Sequence, residues 1–223
     1  MKKILKSLAV LLLLNSCATT MITNNSTQPN EINNLGYFET ISIIRLIEKG
    51  NQSKPSDSLS ILSNKIMDSI IANTNNPKVN NHFAVSNERL RARIENDILK
   101  TISEIRNSKK IENIKTTPLM DSIVRNENQR FALCVVNAGF DRRKGNYGNQ
   151  IAKGIGVGIL TMGMYTPVPI KANTSMYAMI YDAQQSSVVF YNTIPIVEKS
   201  PTDKKNLNQL YKKIFDGYFY NRK

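Results

Sequence analysis

The chain has 223 residues, of which 41% are hydrophobic, 21% charged and 7% aromatic, with one histidine, two cysteines, no tryptophan and a formal net charge of +13. That is enough apolar sequence for the core of one domain, which excludes a fully disordered chain and a disulfide-stapled miniprotein. The lone imidazole, His82, excludes metal sites needing two, and it stands in a polar stretch, Asn80-Asn81-His82, that reads as exposed rather than catalytic.

Lys2, Lys3 and Lys6 open the chain, a short apolar run covers residues 8–14, and Leu14-Asn15-Ser16-Cys17 follows directly. This is the three-part form of a secretory signal peptide, and the apolar run is too short to span a bilayer. The ending resembles the lipobox of bacterial lipoproteins. Leu14 fits its position, Ser16 is the small residue beside the cut, and Asn15 is less usual there than Ala or Ser. The resemblance implies removal of residues 1–16 and acylation of Cys17, which becomes a membrane anchor without a transmembrane helix. The expected location is the outer membrane of a Gram-negative cell. A periplasmic orientation is read from the lack of any acid between Cys17 and Glu31. Cleavage leaves 27 basic against 17 acidic residues, a net charge of +10. With Cys17 acylated, Cys134 has no disulfide partner and reads as a small buried residue of an apolar strand.

Residues 17–35 are rich in Thr, Asn, Ser and Gln and read as a flexible tether, placing the domain about 20–25 Å from the headgroups. A single α/β domain is expected over 36–223. Residues 38–46 alternate and carry β-branched side chains, as a strand does. Ser56-Asp57-Ser58 offers cap chemistry for a helix to Ala72, with Leu59, Leu62, Ile66 and Ile70 at helical spacing. Asn73 to Pro77 stops it, and residues 79–85 are a weak strand candidate. A second helix starts at Ser86, where Ser86 and Arg89 make half a capping box, and aligns Leu90, Ile94, Ile98, Leu99, Ile102 and Ile105. Thr117-Pro118 opens a third.

Residues 130–140 (RFALCVVNAGF) are nearly continuous in apolar character, as in a strand covered on both faces. Residues 175–181 and 188–194 read as an antiparallel hairpin. Pro201-Thr202-Asp203 then caps a final helix carrying Leu207, Leu210, Tyr211, Ile214 and Phe215 on one face. The fold class expected is α/β (α+β): a mixed sheet of about four to five strands with helices packed on it, an antiparallel C-terminal hairpin and a final helix.

The apolar strand ending in Gly139, then Tyr177-Ala178-Met179-Ile180-Tyr181-Asp182-Ala183, then Val188-Val189-Phe190-Tyr191, resembles the α/β domain of the curli secretion-channel lipoproteins and penicillin-binding-protein activator lipoproteins. The resemblance implies an envelope interaction or assembly module without catalytic activity. Its alternative is an oligomeric secretion-channel subunit, and an enzyme with an unrecognised site is the reading least supported.

The segment 139–170 is the most unusual. Seven of the ten glycines lie between Gly139 and Gly163, and residues 154–170 carry no charge. Gly154, Gly156 and Gly158 do not follow a strand of a βαβ unit, and Ile159-Leu160 stands where a phosphate loop needs Lys followed by Ser or Thr. Two readings remain: an excursion folded back on the sheet, or an exposed apolar loop meeting a membrane or partner chain. On the second, the candidate interaction residues are Arg142, Arg143, Lys144, Tyr147, Ile155, Val157, Ile159, Met162, Met164 and Tyr165. The basic triple suits anionic headgroups. Alternation of the kind a barrel strand needs is weak here. Expected partners are the membrane, through lipidated Cys17, and a protein partner or a second copy. Nucleic acid, a small-molecule substrate, a metal and a cofactor are not expected, since no aromatic-basic interleaving and no ligand cluster occurs.

Overall fold

A computed structural model describes residues 21–24, 27–145, 148 and 169–220. Among these, one sheet holds β1 (Ile22–Thr23), β2 (Leu35–Phe38), β3 (Ile41–Ile47), β4 (Ser53–Pro55), β5 (Asn81–Phe83), β6 (Phe131–Arg142), β7 (Ala172–Asp182) and β8 (Ser187–Val197). The helices are α1 (Asp57–Ala72), α2 (Glu88–Ser108), α3 (Pro118–Asn126) and α4 (Lys204–Ile214). Three helix starts are held by side chains accepting from freed backbone N–H groups. Asn87 accepts from Leu90, Thr117 from Met120 and Asp203 from Asn206. The cap of α2 is thus Asn87, one residue beyond Ser86, because Asn87 carries the acceptor that reaches the third helical N–H.

β6 is the axis of the sheet. One edge pairs antiparallel with β7 along its length, from Phe131↔Asp182 to Asp141↔Ala172. The other edge pairs in parallel with β2 at Phe131 to Leu133, then with β3 at Val136 to Arg142. The strand expected over 38–46 is β3, while its first residue, Phe38, closes a separate strand, β2, laid end to end with it. At the break, Asp68 of α1 accepts from the Thr40 backbone N–H (3.0 Å) and hydroxyl (2.8 Å), taking the place of ladder partners. β5 runs parallel to β2, and β4, β8 and β1 add antiparallel to β3, β7 and β8 respectively. Gly36 in β2 leaves room for the ring of Phe83 in β5, which an added Cβ would meet at 2.2 Å.

Eight strands replace the four to five expected. β5 falls inside the weak candidate at 79–85, whereas β1 and β4 have two or three residues each, too few to display a period, and exist through their pairing. The tether is also shorter than residues 17–35. Ile22 and Thr23 pair with Tyr191 and Phe190, and Thr27 and Ile32 are buried, so the domain begins some fourteen residues before Gly36.

The sheet is the middle of three layers. On one face, Met67, Ile70 and Ile71 of α1 and Leu207, Leu210, Tyr211, Ile214 and Phe215 of α4 close over Leu133, Val135, Met176 and Phe190. On the other, Ile94, Ile98, Ile102 and Ile105 of α2 and Met120 and Val124 of α3 cover Ala132, Cys134, Val136 and Met179. Successive β6 residues thus enter opposite cores, the physical reason for its unbroken apolar run. Cys134 is a buried free thiol, and burial pushes its pKa up, as suits an inert core residue.

Candidate functional site

β6 ends at Arg142 and β7 begins at Ala172, so the segment between them leaves and re-enters at one end of the sheet. Tyr147, Ile155, Val157, Ile159, Met162, Met164 and Tyr165 lie outside the described residues, as does Cys17. The strands stay paired up to this point. Gly139 permits the close approach, since a Cβ there would lie 2.1 Å from the Asn173 carbonyl oxygen.

The basic triple divides into two roles. Arg142 donates through Nε to the Ile170 carbonyl (2.5 Å) and through Nη1 to Asn51 Oδ1 (2.6 Å), with its guanidinium 5.8 Å from the centre of the Phe140 ring. It therefore clasps the two arms of the excursion to each other and to the loop after β3, and is committed to the fold. Arg143 extends the β3 ladder by donating its backbone N–H to Ile47, while its side chain and that of Lys144 are exposed. Of the three, only these two offer charge to a partner.

An open groove of about 430 Å³ lies at the same end, between Asp141, Lys171, Lys199 and the start of α4. Asp141 accepts from the hydroxyls of Ser200 (2.7 Å) and Thr202 (3.2 Å), and Asn206 Nδ2 donates to the Ser200 carbonyl (2.9 Å). These bonds tie the loop before α4 to β6. Deeper in, Asn137 Nδ2 donates to Ser63 Oγ (2.7 Å) and to the Pro201 carbonyl (3.3 Å), joining β6, α1 and the same loop. No sequence motif marks this network, because its members come from segments up to 138 residues apart and meet only in the fold.

Elsewhere the reactive residue types are held apart or already engaged. His82 is an exposed residue of β5 whose ring lies 4.7 Å from that of Tyr37. The nearby Asp68 carboxyl is taken by Thr40, and burial raises its pKa despite those hydrogen bonds. Asp97 accepts from Thr117 Oγ1 (2.8 Å), tying α2 to the start of α3. Glu95 stands apart from it, its pKa raised by burial and then by Glu39. Among the described residues no cluster could hold a metal ion, and no helix is long and apolar enough to cross a membrane.

The half of the sheet toward that end exposes two large apolar side chains that sequence reasoning did not single out. Ile43 of β3 is 49% exposed and Ile196 of β8 is 67% exposed. Ile43 pairs with Ala138, which pairs with Ser175, and Ile196 lies in the irregular stretch of β8 beside Ser175. The two isoleucines thus flank one cross-strand row. The only sequence signal was an apolar residue, Ile196, continuing past Pro195 where the hairpin strand was expected to stop.

No known protein family matches the sequence, and no curated protein matches it. Solved structures of similar outline include the PelC dodecamer from Paraburkholderia phytofirmans, at 7% identity and a TM-score of 0.43 over 92% of this chain and 99% of that one. A variant of the same dodecamer gives 8% identity and a TM-score of 0.44, over 92% and 100%. The LpoB C-terminal domain from Salmonella enterica gives 9% identity and a TM-score of 0.31, over 78% and 87%. At such identities the aligned positions share almost no side chains, and no residue role is carried across.

Proposed function

We propose that this chain is a lipoprotein of the bacterial cell envelope, anchored through Cys17 to the outer membrane and facing the periplasm, where it acts as an interaction or assembly module without a catalytic step of its own. The observation that carries the reading is Leu14-Asn15-Ser16-Cys17 standing five residues ahead of Ile22, the first residue of the sheet. A cut before Cys17 would spare the whole described fold, and two or three acyl chains at about 0.8 kcal/mol per buried methylene would anchor it firmly. Support for a binding role comes from the segment between β6 and β7. Its uncharged residues 154–170, with Ile155, Val157, Ile159, Met162, Met164 and Tyr165, would contact a protein partner or a second copy, with Tyr147 alongside. Arg142 joins that surface only as the clasp at its base.

The test is metabolic labelling with palmitate. Wild-type chain should carry the label and partition into detergent, and Cys17→Ser should lose both. Label retained on Cys17→Ser would overturn the anchor. Cross-linking in native envelopes then identifies the contacting protein, and a ring seen by negative-stain microscopy of detergent extracts would replace the module by a channel subunit.

A further inference from the structure

We infer that the end of the sheet formed by the C-terminal ends of β3, β6 and β8 is a membrane-seating surface, which rests on an anionic bilayer beside the Cys17 anchor. The inference builds on the lipid anchor proposed above and adds which part of the domain meets the lipid.

Chain direction is the first argument. β1 is antiparallel to β8, with Ile22 opposite Tyr191 and Thr23 opposite Phe190. Residues before Ile22 therefore depart toward the Val197 end of β8, not toward the β7–β8 turn. Cys17 is five residue steps from Ile22, so even a fully extended chain reaches at most about 18 Å. The six residue steps of β8 from Tyr191 to Val197 cover about 20 Å. An acylated Cys17 is thus held close to the domain, within reach of the end where β8 finishes.

Surface chemistry at that end is the second. Ile43 and Ile196 are the most exposed large apolar residues of the sheet and flank one cross-strand row in the half toward that end, Ile196 one residue short of the end of β8 and Ile43 four short of the end of β3. Around them Arg45, Arg143, Lys144, Lys171 and Lys199 are exposed. Against these stand Glu198, Asp203 and the half-buried Asp141, whose carboxylate accepts from Ser200 and Thr202, with Glu48 paired to Lys54 at 2.9 Å and near enough to Arg143 to feel its charge. The other end of the same strands exposes Gln184 and Gln185 at the β7–β8 turn, with exposed Lys115 bridged to Ser187 and the Arg125 guanidinium already donating to the Ala183 carbonyl, and it carries no exposed large apolar side chain among the described residues of the sheet. Isolated apolar side chains amid basic ones match a headgroup layer, in which phosphates meet the cations and the isoleucines enter the acyl boundary.

The test places one spin label at a time on the acylated protein in phosphatidylcholine vesicles, with and without phosphatidylglycerol. Labels at Ile43→Cys and Ile196→Cys should be relaxed more by dissolved oxygen than by a water-soluble nickel chelate, and a label at Gln184→Cys the reverse. Phosphatidylglycerol should enhance the contrast and raised salt reduce it. Arg143→Glu and Lys144→Glu should each weaken binding of unacylated chain to phosphatidylglycerol vesicles about fivefold or more, since each basic residue near the surface is worth about 1 kcal/mol. Labels at Ile43 and Ile196 as open to the chelate as that at Gln184 overturn the inference, as does shielding from both relaxants, which would mark a protein–protein interface. Failure of the anchor is seen separately, as absence of palmitate on wild-type chain. The same labels on unacylated chain with phosphatidylglycerol vesicles would then decide the seating surface by itself.

Discussion

Neighbouring residues of one charge type can differ completely in role, and Arg142 and Arg143 do. The side chain of Arg142 makes two hydrogen bonds across the neck of the excursion, whereas that of Arg143 is exposed. Removing a charged donor and leaving its acceptors unfilled costs about 1–3 kcal/mol, while surface substitutions usually stay within about 0.5 kcal/mol. Arg142→Ala should therefore lower the urea midpoint clearly and Arg143→Ala hardly at all, in equilibrium unfolding followed by circular dichroism. Equal midpoints for the two variants would show that Arg142 does not clasp the neck. Asp68 offers a second test. Burial raises its pKa above its ordinary 3.8, against the lowering effect of the Thr40 bonds. An acid whose folded pKa is raised favours the folded state when protonated, and that favour is lost as pH climbs through the raised value. Asn at this position keeps the acceptor for Thr40 and cannot ionise. Asp68→Asn should thus match or exceed wild-type stability at neutral pH, the gap closing in acid below the ordinary carboxylate range. A variant weaker than wild type at neutral pH and equal to it in acid would reverse the sign and sink the argument. The sequence shows Arg142, Arg143 and Lys144 as one triple, because the register that separates their roles depends on which strand pairs with β6.

The elements that could be read in the sequence are those long enough to repeat. α2, α3 and α4 each bring an apolar face with a cap or a proline at the start, and β6, β7 and β8 each bury six or more residues. α1 follows the expected span, although Leu62 of the expected face is exposed and Met67, Ile70 and Ile71 are the buried apolar residues. β1 and β4 escape such reading because two or three residues carry no period, and their partners lie up to 169 positions away in register, as Ile22 does from Tyr191, while β5 falls inside the weak candidate at 79–85. The break between β2 and β3 escapes it too, since its cause, Asp68, belongs to α1. α4 is the element on which one core depends most. Leu207, Tyr211, Ile214 and Phe215 are fully buried there, and each is worth about 1.5–3 kcal/mol, in sum comparable with the stability of a whole domain. A chain ending at Ser200 should therefore lack a cooperative thermal transition by calorimetry, while remaining rich in secondary structure or aggregating. A fragment melting as the full chain does would make α4 an appendage.

At the scale of the molecule, the α/β class follows from a strand apolar on both sides lying between helices apolar on one, and β6 alone nearly dictates the three layers. The site is far less legible, because recognition by an envelope protein uses surface residues with no period and no catalytic spacing. What the sequence does display is the uncharged stretch 154–170, set into the β6–β7 connection at the end of the sheet proposed here to face the membrane. A long apolar connection is either packed away or used. One substitution separates the two outcomes. A carboxylate forced into a core costs several kcal/mol, whereas on a contact surface it leaves folding intact and disturbs only the encounter. Ile159→Asp should leave the melting temperature of the purified chain unchanged to within about 2 °C, a shift corresponding to no more than about 1 kcal/mol for a domain of this size. The same variant should yield markedly fewer cross-links to its envelope partner in native membranes while keeping its palmitate label. A loss of cooperative melting would assign Ile159 to the core, and unchanged cross-linking with unchanged melting would remove the segment from the contact surface.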